Sequence, residues 1–176
     1  MPNHNFTSEN SQTFLTSLFK NPHNAETVYV SLLSKGYKKE DITLLMSDET
    51  RQKYFFHQDI TNTDVGNKAL EGMGVGGAIG GTVGAIAAAL TAVGTSLAIP
   101  ALGIVVSGAI AASLAGAGAG AATGGLLGAL VGAGISDECA QDYEAGIKAG
   151  GVVVGVYTKS PEDYKLLNDQ WNALSN

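Results

Sequence analysis

Gly72-Met73-Gly74-Val75-Gly76-Gly77 has the spacing of a dinucleotide-binding turn, whose glycines let the backbone approach a pyrophosphate. Such a turn needs a strand before it and an acid about twenty residues later for the ribose. Here Asn67 to Glu71 reads as helix, and the next acid is Asp137. No glycine is followed by lysine, so a phosphate-cradling P-loop is excluded too. His4, His23 and His57 are scattered, and Cys139 has no histidine or cysteine at ligand spacing. Neither a cofactor nor a metal is expected. Asp48, Glu49 and Arg51 read as a solvated charge cluster, Cys139 as a small residue on a helix face, and His23 as an exposed side chain in a first helical turn. The residues that could do chemistry thus point to no catalytic set, and the chain reads as non-enzymatic.

Composition explains why. The chain has 176 residues, and all 65 from Gly72 to Ser136 are uncharged. That block holds 18 of the 24 glycines, while every charge and every aromatic lies in the flanks. Glycine does not recur every third residue, which excludes collagen, and the many Ile, Leu and Val argue against a disordered linker. A net charge of -6 argues against a nucleic-acid surface. Met1 to Gln12 is polar, with neither the basic start nor the apolar run of a secretory leader, and Cys139 is the lone cysteine. These features predict a cytoplasmic location.

The flanks supply the elements. Residues 1–11 read as a flexible tail. Thr13 to Phe19 predicts a strand, followed by a helix that Asn21 caps and Pro22 starts. Its buried stripe is Ala25, Val28, Tyr29, Leu32 and Leu33, and Gly36 supplies the left-handed stop. Ile42 to Met46 completes a βαβ unit with parallel outer strands. Glu49 to Phe56 reads as a short helix laying aromatics on the sheet. After the block, Ser136-Asp137-Glu138 starts a helix with Tyr143 and Ile147 on its buried face, ended by Gly150-Gly151. Val152 to Thr158 is a strand, with Val152, Val154 and Val156 on one face and Val153 and Tyr157 on the other. Ser160-Pro161-Glu162-Asp163 caps a last helix, Asp163 taking the reciprocal box position. Its stripe is Tyr164, Leu167, Trp171 and Leu174. Lys20-Asn21-Pro22 and Lys159-Ser160-Pro161 echo one another, through duplication or through convergent capping. Both helix starts offer amides that could receive an anion.

Within the uncharged block, Pro100 interrupts any single helix. Val75, Ile79, Val83, Ile86, Leu90, Val93 and Leu97 recur at spacings of three and four, a helical stripe. Beside it run Gly72, Gly76, Gly80 and Gly84, matched after the proline by Gly116, Gly120, Gly124, Gly128 and Gly132. Small residues at every fourth position make a groove into which a neighbouring backbone fits. Folding back at Pro100 sets Gly84 against Gly116 and Gly72 against Gly128. The pattern predicts an antiparallel helical hairpin over 64–135, between an α/β half at 12–63 and its second half at 136–176. The expected tip comprises Ile86, Leu90, Val93, Leu97, Pro100, Leu102, Val106, Ile110 and Leu114.

Arms of that length would span about 52 Å at 1.5 Å per residue, whereas the α/β remainder has a radius of gyration near ~13 Å. The remainder is too small to cover the hairpin. Burial of the large apolar side chains, roughly 1.5 to 3 kcal/mol each, must come from other copies or from lipid. For lipid the arithmetic is marginal. The six large aliphatics between Ile79 and Leu97 contribute about -2 to -4 kcal/mol to insertion, which glycine, threonine and serine erode.

The combined pattern resembles a bacterial family of general stress proteins, also labelled heat-induced stress proteins. The likeness rests on Ala25 through Leu32-Leu33-Ser34-Lys35-Gly36-Tyr37, on Glu40-Asp41-Ile42, on Ile135-Ser136-Asp137-Glu138, and on Tyr143-Glu144 with Ile147-Lys148-Ala149-Gly150-Gly151-Val152-Val153-Val154. It spans about residues 12–158. It implies an α+β fold, a ferredoxin-like α/β sandwich split by a glycine-zipper helical hairpin, and a stress-associated role without catalytic residues. The expected function is self-assembly through the glycine stripes, with the tip on a membrane or on partner tips. A ligand-sensing regulatory module and a pore-forming hairpin are the competing readings.

Overall fold

The computed structural model describes residues 13–55, 86, 96–99, 103–111, 125, 127–128, 130–132 and 134–175. β1 (Phe14–Phe19) leads to α1 (Pro22–Ser34), then β2 (Ile42–Ser47). A helical turn at Asp48–Thr50 widens to π geometry over Arg51–Phe55. β3 (Ser96–Ile99) and β4 (Ile104–Ser107) come from the uncharged block. The chain closes with α2 (Asp137–Lys148), β5 (Val152–Tyr157) and α3 (Pro161–Leu174). The fold is α+β.

The strands form one antiparallel sheet in the order β1-β5-β2-β4-β3. β1 and β2 therefore run parallel, as the βαβ unit predicts, with β5 inserted between them. Alternation along the strands sorts the core into two layers. Leu44, Met46, Val105, Val152, Val154 and Val156 face α1 and α3. Leu45, Ile104, Val106 and Val153 face α2. Helices thus cover both faces, whereas the ferredoxin-like expectation puts them on one.

The larger correction concerns the insert. The described chain instead forms a β-hairpin between Ile99 and Ile104: Ile99 pairs with Ile104, and Leu97 with Val106. β4 then pairs with β2, so this hairpin widens the sheet instead of projecting from it. Ile104, Val105 and Val106 are β-branched and buried on both faces of an interior strand, a setting that overrides the loose three-and-four spacing. Of the expected tip, Ile86 is buried beneath α1 and α3, and Val106 and Ile110 beneath α2. They are core residues and line no projecting tip. Leu97 lies in β3; Leu90, Val93, Pro100, Leu102 and Leu114 are outside the described residues.

The caps follow the sequence closely. Asn21 Oδ1 accepts from the His23 amide at 3.0 Å, and Ser160 Oγ from the Asp163 amide at 3.1 Å. Ser136 Oγ accepts from Cys139 N at 3.4 Å. α1 ends in a Schellman motif, with Tyr37 N donating to Leu32 O at 3.1 Å and Gly36 N to Leu33 O at 3.0 Å. Gly36 has φ +78°, which a side chain would resist. Gly150 closes α2 in the same manner, through Gly151 N to Gly146 O at 2.8 Å. In α3, Leu167 and Trp171 are buried and Tyr164 and Leu174 pack beside them, as the stripe predicts.

Candidate functional site

Two polar clusters stand out among the described residues. The first joins the end of α1 to the start of α3. Buried Tyr37 donates its hydroxyl to Asp163 Oδ2. The Lys159 amide donates to Tyr37 Oη at 3.3 Å and to Asp163 Oδ2 at 3.4 Å. Lys159 Nζ donates to the carbonyls of Lys35 and Gly36, both at 3.1 Å, and stands 4.3 Å from the centre of the Tyr37 ring. The ammonium thus caps the carbonyl end of α1, where the helix dipole favours a cation. Burial and the bond to Asp163 push the Tyr37 phenol well above its ordinary range. A phenol so held stays protonated near neutrality and acts as a fixed donor. The cluster is a clasp between helices.

This geometry corrects one expected detail. Asp163 does not complete a reciprocal box on Ser160; its carboxylate turns to Tyr37 and to the amide of Lys159. It also weakens the anion-receptor reading of the α3 start. Hydrogen bonds from its own backbone amide and from the Ser160 hydroxyl hold the Glu162 carboxyl below its ordinary value. The chain's own acids therefore occupy the end where an anion would bind.

The second cluster lies on the α2 face of the sheet. Gly155 pairs with Thr16 on one side and Thr43 on the other, so the three residues form a row across β1, β5 and β2. Tyr143 from α2 donates its hydroxyl to Thr16 Oγ1 at 2.9 Å. A Cβ on Gly155 would come within 2.9 Å of the Thr16 methyl and 3.0 Å of the Phe14 ring. Its absence lets Phe14 lie over the strand, 4.5 Å from the Tyr157 ring centre. Among the described residues, buried Thr43 Oγ1 has no hydrogen-bond partner, nor has Tyr29 Oη on the opposite face. Burial pushes the Tyr143 phenol well above its ordinary range. Two hydroxyls and a protonated phenol offer neither a base nor an activated nucleophile.

The remaining candidates resolve individually. Asp48 is neutralised by Arg51, Nη2 to Oδ1 at 2.7 Å, and accepts from Gln52 at 2.7 Å. Cys139 is half-buried against the α2-side core, and His23 is exposed. Among the described residues no three His, Cys, Asp or Glu side chains are grouped to hold a metal. The fingerprint Gly72–Gly77, His4 and His57 lie outside them.

Of the glycines expected to mediate self-association, Gly72, Gly76, Gly80, Gly84, Gly116, Gly120 and Gly124 lie outside the described residues, while Gly128 and Gly132 are helical. Leu130, between the last two, is fully buried in the α2-side core, whereas Gly128 is half-buried and Gly132 exposed. At 100° per residue, Gly128 and Gly132 fall on the helix side opposite Leu130. Val131 beside them is 36% exposed. The helix closes at Gly134, φ +90°, with Ile135 N donating to Leu130 O at 3.1 Å. The β-hairpin of Ser96–Ile99 and Ile104–Ser107 is hard to read from the sequence because glycine and alanine fit either periodicity; the β-branched run Ile104-Val105-Val106 is its signal.

Among the described residues, no helix is long and apolar enough to cross a membrane. Comparison of the chain with protein-family models, with characterised proteins and with solved structures finds no match in any of the three.

Proposed function

We propose that the chain is a non-enzymatic, self-assembling protein whose copies pack through the small-residue helices of its uncharged block. The supporting observation is the division of labour around Leu130. One side of that helix is anchored in the α2-side core, and the glycine-bearing side with Val131 is turned away from it. A smooth, uncharged helix face suits close approach by an identical face. The β-hairpin is spoken for by the sheet, so in this reading the helical parts of the block carry both self-association and any contact with a lipid surface. The resemblance to general stress proteins adds a stress-associated setting, and the sequence a cytoplasmic one.

The experiment is a comparison of molecular mass by light scattering for the full chain and its Gly132→Leu variant. Leucine there blocks close approach without touching the Leu130 anchor. The expected result is a smaller species with unchanged thermal stability; an unchanged assembly overturns the reading.

A further inference from the structure

Among the described residues β1 is the terminal strand of the sheet, and one bond gives the direction of its amides. Thr158 N donates to Thr13 O at 2.9 Å, and these residues continue the register in which Phe14 opposes Tyr157. Directly opposed residues that exchange such bonds are the hydrogen-bonded pairs of an antiparallel ladder, and the pairs alternate. Leu15, Ser17 and Phe19 therefore bond toward β5. The amides and carbonyls of Phe14, Thr16 and Leu18 point to the open edge.

That edge lacks the usual protections. No charged residue occurs from Asn10 to Phe19, no proline interrupts β1, and its register with β5 runs unbroken over six residues. The outward set is symmetric about Thr16, with a large apolar residue two positions to either side. Phe14, Thr16 and Leu18 are all half-buried on the α2 face.

We infer that β1 is a dimerisation edge that pairs antiparallel with β1 of a second copy, about a two-fold axis at Thr16. A two-fold perpendicular to the sheet keeps each face continuous, and therefore requires opposed residues of equal facing. The register centred on Thr16 meets this condition. Phe14 opposes the partner's Leu18, and Thr16 opposes the partner's Thr16. All three outward-facing residues on each strand then bond across the junction. β1 carries no charged residue, so no like charges oppose one another along the paired strands. The occupant is a second copy because the edge complements itself in both hydrogen bonding and side-chain pairing. This surface is distinct from the glycine-bearing helix face, and either can fail without the other.

The test is residue-resolved hydrogen exchange of the full chain across a dilution series. At high concentration the amides of Phe14, Thr16 and Leu18 should exchange as slowly as those of Leu15 and Ser17. On dilution, only the outward three should speed up. In parallel, Thr16→Lys sets two ammonium groups opposite each other at the axis and should weaken association by about tenfold or more, while Gly132→Leu leaves the edge protection intact. The inference is overturned if the chain is monomeric throughout. It is also overturned if the outward amides exchange freely in the associated state, or stay protected regardless of dilution because another segment pairs them.

Discussion

Gly108 sits so close to Ile42 that a Cβ on it would fall 1.9 Å from the Ile42 carbonyl oxygen. Its φ is +83°, so the backbone also needs the conformation that glycine alone adopts cheaply. This contact is where the chain leaving β4 passes the start of β2. It makes Gly108 a fixed point in joining the uncharged block to the sheet. Gly108→Ala should cost about 2–4 kcal/mol, combining left-handed strain with overpacking against backbone that has no flexible end to move aside. Urea denaturation reads this directly, and a midpoint within error of the parent would show the close approach to be unimportant.

Trp171 offers a probe as well as a test. It is 1% exposed and meets Phe19 edge-on, with ring centres 5.9 Å apart. It is the sole tryptophan, so native fluorescence should be blue-shifted and should move to the red in one transition on unfolding. Trp171→Ala removes the largest side chain beneath α3 and should cost about 3–5 kcal/mol. A red-shifted native emission would mean that α3 is not docked.

Alkaline pH should destabilise the fold. Burial raises the phenols of Tyr29, Tyr37 and Tyr143 well above the ordinary range, with Glu40 adding to the first and Asp163 to the second. In the unfolded chain these groups lose protons near pH ~10. Above that pH the unfolded state binds fewer protons than the folded one, so stability falls as pH rises toward the folded values. Below the unfolded range the contribution is fully present. Denaturation midpoints measured upward from about pH 9 should therefore decline, and Tyr37→Phe should lessen the slope. A flat profile would mean that the three phenols titrate normally in the fold.

The parts of the fold legible in the sequence are those where one residue type has one local job. Asn21 and Ser160 cap helices because their side chains reach free amides, and Gly36 and Gly150 end helices because only glycine takes the required φ cheaply. β5 was legible because valine alternates across two buried faces. The block between Gly72 and Ser136 was harder, since alanine and glycine discriminate poorly between periods of 2 and 3.6 residues. There the β-branched run at Ile104–Val106 and its pairing with β2 decided the form. The clasp of Tyr37, Lys159 and Asp163 was not legible, because Tyr37 lies more than 120 residues from the other two and no local pattern joins them.

The strand order also sets a schedule. β1 and β2, first made, do not touch each other; both pair with β5, the last strand to leave the ribosome. β2 can meet β4 and β3 earlier, so a three-stranded β2-β4-β3 ribbon can assemble while β1 still waits for a neighbour. Contacts that close nearly the whole chain are slow to form because loop entropy is spent before they reward it. Synthesis therefore leaves the uncharged FLTSLF strand unpaired for longest, and a chain stalled before Val152 carries that strand with no intramolecular β5 to receive it.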